Sequence, residues 1–165
     1  MGPDTNTHRE PSSSVTDLSL PKIDQFNLER FVVAQSICFD RVVSELTGGE
    51  KESCWMWYIF PQIAGLGSSF NAQKYAIHDK AEATAYLQHE VLGARLIQCC
   101  ELVLKIDEKT AEEIFGFPDD LKLCSCMTLF SEISESGSLF QRVLEKFYNG
   151  SKDQATLDIL ASLEK

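Results

Sequence analysis

Positive charge is scarce in this 165-residue chain: 15 Lys and Arg stand against 25 Asp and Glu, a formal net charge of −10. Nucleic-acid affinity rests on clustered Lys and Arg facing phosphate, and no basic run occurs, so no nucleic-acid partner is expected. The same imbalance disfavours an anionic membrane surface. Long apolar runs are also missing, and none approaches the ~20 residues that a spanning helix needs. The opening stretch, MGPDTNTHREPSSSVTD, has no apolar signal core. Asn6 stands where a myristoylation signal carries Ser or Thr. The expected compartment is the cytosol, with no membrane partner.

Metal and cofactor signatures are absent as well. The six cysteines, Cys38, Cys54, Cys99, Cys100, Cys124 and Cys126, form no C-x-x-C pair. Their spacing offers no zinc quartet, so they are expected to be reduced, buried thiols, and neither metal nor cofactor is expected. Gly65-Leu66-Gly67-Ser68-Ser69 matches neither the P-loop nor the dinucleotide-binding glycine pattern. No alternating strand pattern and no internal repeat are visible.

What remains is an ordinary globular composition, 44% hydrophobic and 24% charged, which suits one domain with a real core. Residues 1–23 are too polar to bury enough surface against chain entropy, and a disordered tail is expected there. Residues 24–165 read as one compact all-α domain of seven or eight mostly short helices. Asn27 is the expected cap of the first, which Gly48-Gly49 ends. Residues 53–60 are ambiguous between a short buried helix and a strand, with helix favoured because no partner strand is near. Phe70–Ile77 follows as helix. Asp79-Lys80-Ala81-Glu82 and Thr110-Ala111-Glu112-Glu113 read as capping boxes. Helices also follow over 89–106, from Pro118 to about Ser134, over 138–149 and over 154–163.

The densest information lies in WMWYIFPQIAGLG at residues 55–67. Four aromatics fall in six positions and then meet Pro61, Gln62 and two glycines, which is how an apolar pocket wall, or an ordinary core, ends at a loop. SCWMWYIFPQIAGLG, AQKYAIHDKAEATAYLQHEVLGARL and IFGFPDDLKLCSCMTLF together resemble the small proteins catalogued as domain-of-unknown-function family 1810, some of them labelled calpastatin. The resemblance spans roughly residues 26–161. It implies an all-helical fold like that of a mycobacterial hypothetical protein, and no established activity. Calpastatin's inhibitory regions are disordered, whereas this chain reads as a packed globule, so protease inhibition is not expected. Cys54 replaces the family's common His, and Cys126 replaces one hydroxyl of its Ser-Ser pair.

Candidate ligand contacts cluster in these blocks. Trp55 and Trp57, with Tyr58 and Phe60, could stack on a planar ligand, although in a helix not all four face one way. Gln62 could read an amide or a base edge. Gly67 and Ser68 precede a helix start that could meet a phosphate. Tyr75 follows on that helix. Asp119 and Lys122 pair opposite charges at a helix start, where acids also complement the dipole. Ser125 shares a face with Thr128, and neither His78 nor His89 can be placed beside it as a base. No catalytic residue is assigned.

Three functions are consistent with these residues. The first is a small-molecule pocket, nucleotide-like in its sharper form. The second is a non-catalytic protein–protein adaptor. The third follows from Phe70-Asn71-Ala72-Gln73-Lys74-Tyr75, which resembles the helix of NADAR-type N-glycosidases acting on ADP-ribose derivatives. Those enzymes carry a catalytic Glu where this chain has Gly67.

Overall fold

A computed structural model describes residues 23–165. The expected tail thus falls, but for Ile23, outside the described residues. Within them the chain is all-helical, with nine helices: α1 (Glu29–Thr47), α2 (Met56–Ile59), α3 (Phe70–Lys74), α4 (Lys80–Gln88), α5 (Leu92–Leu104), α6 (Ala111–Phe115), α7 (Asp119–Glu132), α8 (Leu139–Tyr148) and α9 (Gln154–Leu163). Segment 53–60 contributes a single helical turn, and the nine helices are one more than the seven or eight expected.

α7 is the centre of the fold. Its sequence LCSCMTLF is apolar or small on every side, and Leu123 and Ser125–Phe130 are all buried. A helix without a polar stripe has to be surrounded, and α4, α6, α8 and α9 pack around it. α5 packs on α1, α4 and α8. α8 is the opposite case, with Phe140, Val143 and Leu144 buried along one face. A run of rings passes through the core. Phe31 meets Tyr86 edge-on at 5.0 Å, Tyr86 meets Phe130 at 5.5 Å, and Phe130 meets Phe140 at 5.5 Å.

The ends of the helices follow short-range chemistry, with two departures. Thr110 and Glu113 form the reciprocal capping box expected of them. Asp79 caps α4 through Glu82 N–H at 2.8 Å, but Glu82 does not close the box. Its carboxylate instead receives His78 N–H and the Arg30 guanidinium. Asn27 does not cap α1. It adopts a left-handed φ of 52°, and the Asp24 carboxylate accepts from Leu28 N–H at 2.7 Å and Glu29 N–H at 2.9 Å. A carboxylate accepts more strongly than an amide and suits the positive end of the helix.

α3 stops at Lys74, short of the expected Ile77, because Ile77 is needed elsewhere. Ile77 N–H donates to Gln62 O at 2.9 Å and Ala64 N–H to Ile77 O at 2.8 Å, an isolated parallel bridge between two buried isoleucines. It closes the base of a loop over residues 62–77. Arg30 braces that loop, donating to Lys74 O and Ala76 O at 2.8 Å each and to the buried Glu82 at 2.7 Å.

Candidate functional site

The braced loop forms one wall of a cleft of 420 Å³. Gln62, Leu66, Gly67, Ser68, Ser69 and Ala72 line that side. Pro118, Leu121, Lys122 and Ser125, from the start of α7, line the facing side, and Asp153 and Ala155 at the start of α9 close it. The volume falls within the ~300–1,000 Å³ typical of small-molecule sites.

Gln62, Gly67, Ser68, Lys122 and Ser125, five of the residues that the sequence singles out, therefore meet here, drawn from stretches that lie some fifty residues apart. Gln62 is fixed through its backbone by the bridge to Ile77, and its carboxamide has no protein partner among the described residues. Gly67 is set by a close approach: a Cβ there would lie 2.7 Å from Ala72 Cβ. No side chain fits, so the acid that a NADAR-type site carries at this position has no room. Ser69 is spent on capping α3, accepting from Ala72 N–H at 3.1 Å. α3 has only five residues, and its start is satisfied by that cap.

Trp55 is not at the cleft. It is 1% exposed, packs against Phe60 and Phe115, and donates its indole N–H to Glu45 at 3.2 Å. Phe60 is equally buried. Tyr75 also faces elsewhere, meeting Tyr58 edge-on at 5.2 Å and Phe31 at 5.8 Å. Trp57 is half-buried, and the Lys122 ammonium lies 5.7 Å from its ring centre. The four-ring platform that the sequence suggests is therefore not assembled, because a one-turn helix directs its rings to different neighbours.

Asp119 stands beside the cleft rather than in its lining. It bridges Lys51 at 2.8 Å and Lys122 at 3.4 Å. Lys51 and Lys122 thus share the Asp119 carboxylate, Lys51 more closely. Asp120 turns away: one carboxylate oxygen is buried without a hydrogen-bond partner among the described residues, and its backbone carbonyl accepts from Tyr148 Oη.

The floor belongs to a residue that the sequence reading missed. One oxygen of Asp153, Oδ2, accepts from Ser125 Oγ at 3.0 Å, Thr156 N–H at 3.2 Å and Thr156 Oγ1 at 2.5 Å. The other oxygen has no protein partner among the described residues. Asp153 N–H donates to Thr128 Oγ1 at 2.9 Å. Asp153-x-x-Thr156 was legible as a helix cap, but not that the cap would meet Ser125 across 28 residues. Ser125 is thus paired to a carboxylate, not to an imidazole. His78 sits on Glu82 at 2.8 Å, and His89 accepts from Val91 and Leu92 N–H. The geometry suits hydrogen bonding to a ligand, and among the described residues no imidazole stands beside Ser125.

The cysteines divide in a way the spacing could not tell. Cys99, Cys100 and Cys126 are buried as expected, Cys38 and Cys124 are half-buried, and Cys54 is exposed. Burial pushes the Cys99 thiol up to about 12 and raises Cys100 and Cys126 as well. Among the described residues, no group of three or more His, Cys, Asp or Glu is placed to hold a metal ion, and no helix is long and apolar enough to cross a membrane.

Comparison with curated proteins gave no match. Among solved structures, a conserved hypothetical protein from Mycobacterium tuberculosis superposes with a TM-score of 0.82 at 49% identity, covering 84% of this chain and 99% of that one. A family described as "Protein of unknown function (DUF1810)" matches residues 25–160. On that span and that likeness, the chain belongs to the DUF1810 family.

Proposed function

We propose that the protein binds a small polar metabolite, nucleotide-like in the sharper form of this reading, in the cleft between residues 62–72 and α7. What carries the reading is the convergence of Gln62, Ser68, Lys122 and Ser125, with Asp153, on one opening of ligand size. An amide with no protein partner among the described residues, two hydroxyls, a carboxylate with one oxygen likewise unpartnered among them and an ammonium accompany apolar walls from Leu66, Ala72, Pro118 and Leu121. A few convergent polar groups in a mostly apolar recess are the ordinary make-up of such sites. The test is a metabolite screen by thermal shift and tryptophan fluorescence, followed by Gln62→Ala and Lys122→Met. A hit whose affinity falls about tenfold in either variant supports the site, since a hydrogen bond lost to a bound ligand costs roughly 0.5–1.5 kcal/mol, and one to a charge more. A screen without hits overturns it.

The adaptor reading draws on a different place. Val33 and Ile37 lie four residues apart on α1 and are 54% and 85% exposed, an apolar pair open to a partner. Val33→Ser with Ile37→Ser would abolish such an association and leave metabolite binding unchanged. A glycosidase reading has no acid at Gly67 and is tested by incubation with ADP-ribosylated substrates; absence of ribose-bond cleavage removes it.

A further inference from the structure

The charged residues that line the cleft are Lys122 and Asp153, of opposite sign. They are not paired with each other. The ion-pair partner of Lys122 is Asp119, outside the lining, at 3.4 Å, and Lys51 holds that carboxylate more closely at 2.8 Å. A separation of 3.4 Å exceeds the ~2.7–2.9 Å of a charge-assisted hydrogen bond, so the Lys122 ammonium can take a closer acceptor. Asp153 is divided between its two oxygens. Oδ2 accepts from Ser125 Oγ, Thr156 N–H and Thr156 Oγ1, while Oδ1 has no protein partner among the described residues. The carboxylate is thus fixed by one oxygen and open at the other. α7 sets the spacing of the two charges. Lys122 and Ser125 lie three residues apart on that helix, about 5–6 Å between Cβ atoms, and Ser125 is bonded to Asp153 at 3.0 Å. Lys122 and the Ser125–Asp153 pair therefore sit one turn apart along α7, both in the lining of the same opening.

We infer, resting on the cleft being a small-molecule site, that its ligand is a free α-amino acid with an apolar side chain. Its ammonium meets Asp153 Oδ1 and its carboxylate meets Lys122. The two lining charges cancel, and a ligand that is neutral overall but carries both charges on one carbon complements them. A ligand of one sign would leave one lining charge without a partner or facing its like, which costs binding. A nucleotide is the less suited branch of the small-metabolite reading for that reason, since its phosphate sets negative charge beside Asp153. The Gln62 carboxamide lines the same opening and has donors to offer the ligand carboxylate. Leu66, Ala72, Pro118 and Leu121 supply the apolar surface for the side chain.

The experiment titrates the full chain with L-leucine, L-methionine and L-phenylalanine by calorimetry and protein amide shifts. Two fragments of L-leucine serve as controls: 3-methylbutylamine, which lacks the carboxylate, and 4-methylpentanoate, which lacks the ammonium. At least one amino acid should bind, and both fragments should bind about tenfold or more weakly than L-leucine, the loss of one charged hydrogen bond. Lys122→Met and Asp153→Asn should each weaken the amino acid by a similar factor. Asn caps a helix as well as Asp does, so the melting temperature of Asp153→Asn should match the parent and exclude misfolding. Fragments that bind as tightly as L-leucine overturn the inference, as does an affinity unchanged in either variant. Failure of all three amino acids also overturns it; a phosphorylated or sugar ligand from the wider screen would then keep the cleft as a binding site, and a screen without hits would remove both.

Discussion

Glu45 shows what a buried carboxylate requires at the level of one residue. Burial alone would raise its pKa, but Ser53 Oγ, the N–H groups of Glu52 and Ser53, and the Trp55 indole all donate to it and hold it below its ordinary value. The sign follows. With the folded pKa depressed, the unfolded chain takes up the proton first, so Glu45 adds stability above the unfolded carboxyl range and loses it as pH falls through the folded value. Glu45→Gln should lower the melting temperature at neutral pH and flatten its decline on acidification. A parallel decline in both proteins would refute this. The thiols make a second prediction at this scale. With a maleimide, exposed Cys54 should react first, and Cys99, Cys100 and Cys126 only on unfolding, since the thiolate is the nucleophile and burial disfavours it.

Among the elements, the loop over residues 62–77 decides whether the cleft has two walls. Arg30 holds it to α1 and neutralises Glu82, whose side chain is 2% exposed. Arg30→Met should cost about 3–5 kcal/mol, because a buried carboxylate is left without its charge partner. Arg30→Met with Glu82→Gln should recover part of the loss, which denaturant titration would show. Close packing adds a second constraint. Gly67→Ala should cost about 1–3 kcal/mol through the clash with Ala72, and Ala72→Gly in the same chain should relieve it. Helix positions and two caps were legible beforehand, since spacing and cap chemistry act over a few residues: Thr110 and Asp79 cap their helices as their types suggest. The early end of α3 was not, because Ile77 is taken by a bridge to a residue fourteen positions away.

At the scale of the whole molecule, α7 and α9 are tied where the cleft closes. Asp153 joins Ser125 and Thr128 of α7 to Thr156 of α9. Asp153→Ala removes the cap of α9 and should cost about 1–2 kcal/mol. Hydrogen exchange should speed up at the start of α9 while α5 and the middle of α7 stay protected. Uniform acceleration would mean that the tie is not local.

The sequence alone determined an acidic, all-helical domain, the order of its helices, and a family whose blocks pointed to Gln62, Gly67, Ser68, Lys122 and Ser125. These are properties of composition and of neighbours a few residues apart, and they survive any arrangement of the helices. Tertiary structure alone decided that Trp55 and Tyr75 turn away and that Asp153 joins Ser125 at the cleft. The reason is physical: exposure and convergence are set by which helix covers which, and a ring that is core in one packing is a rim in another.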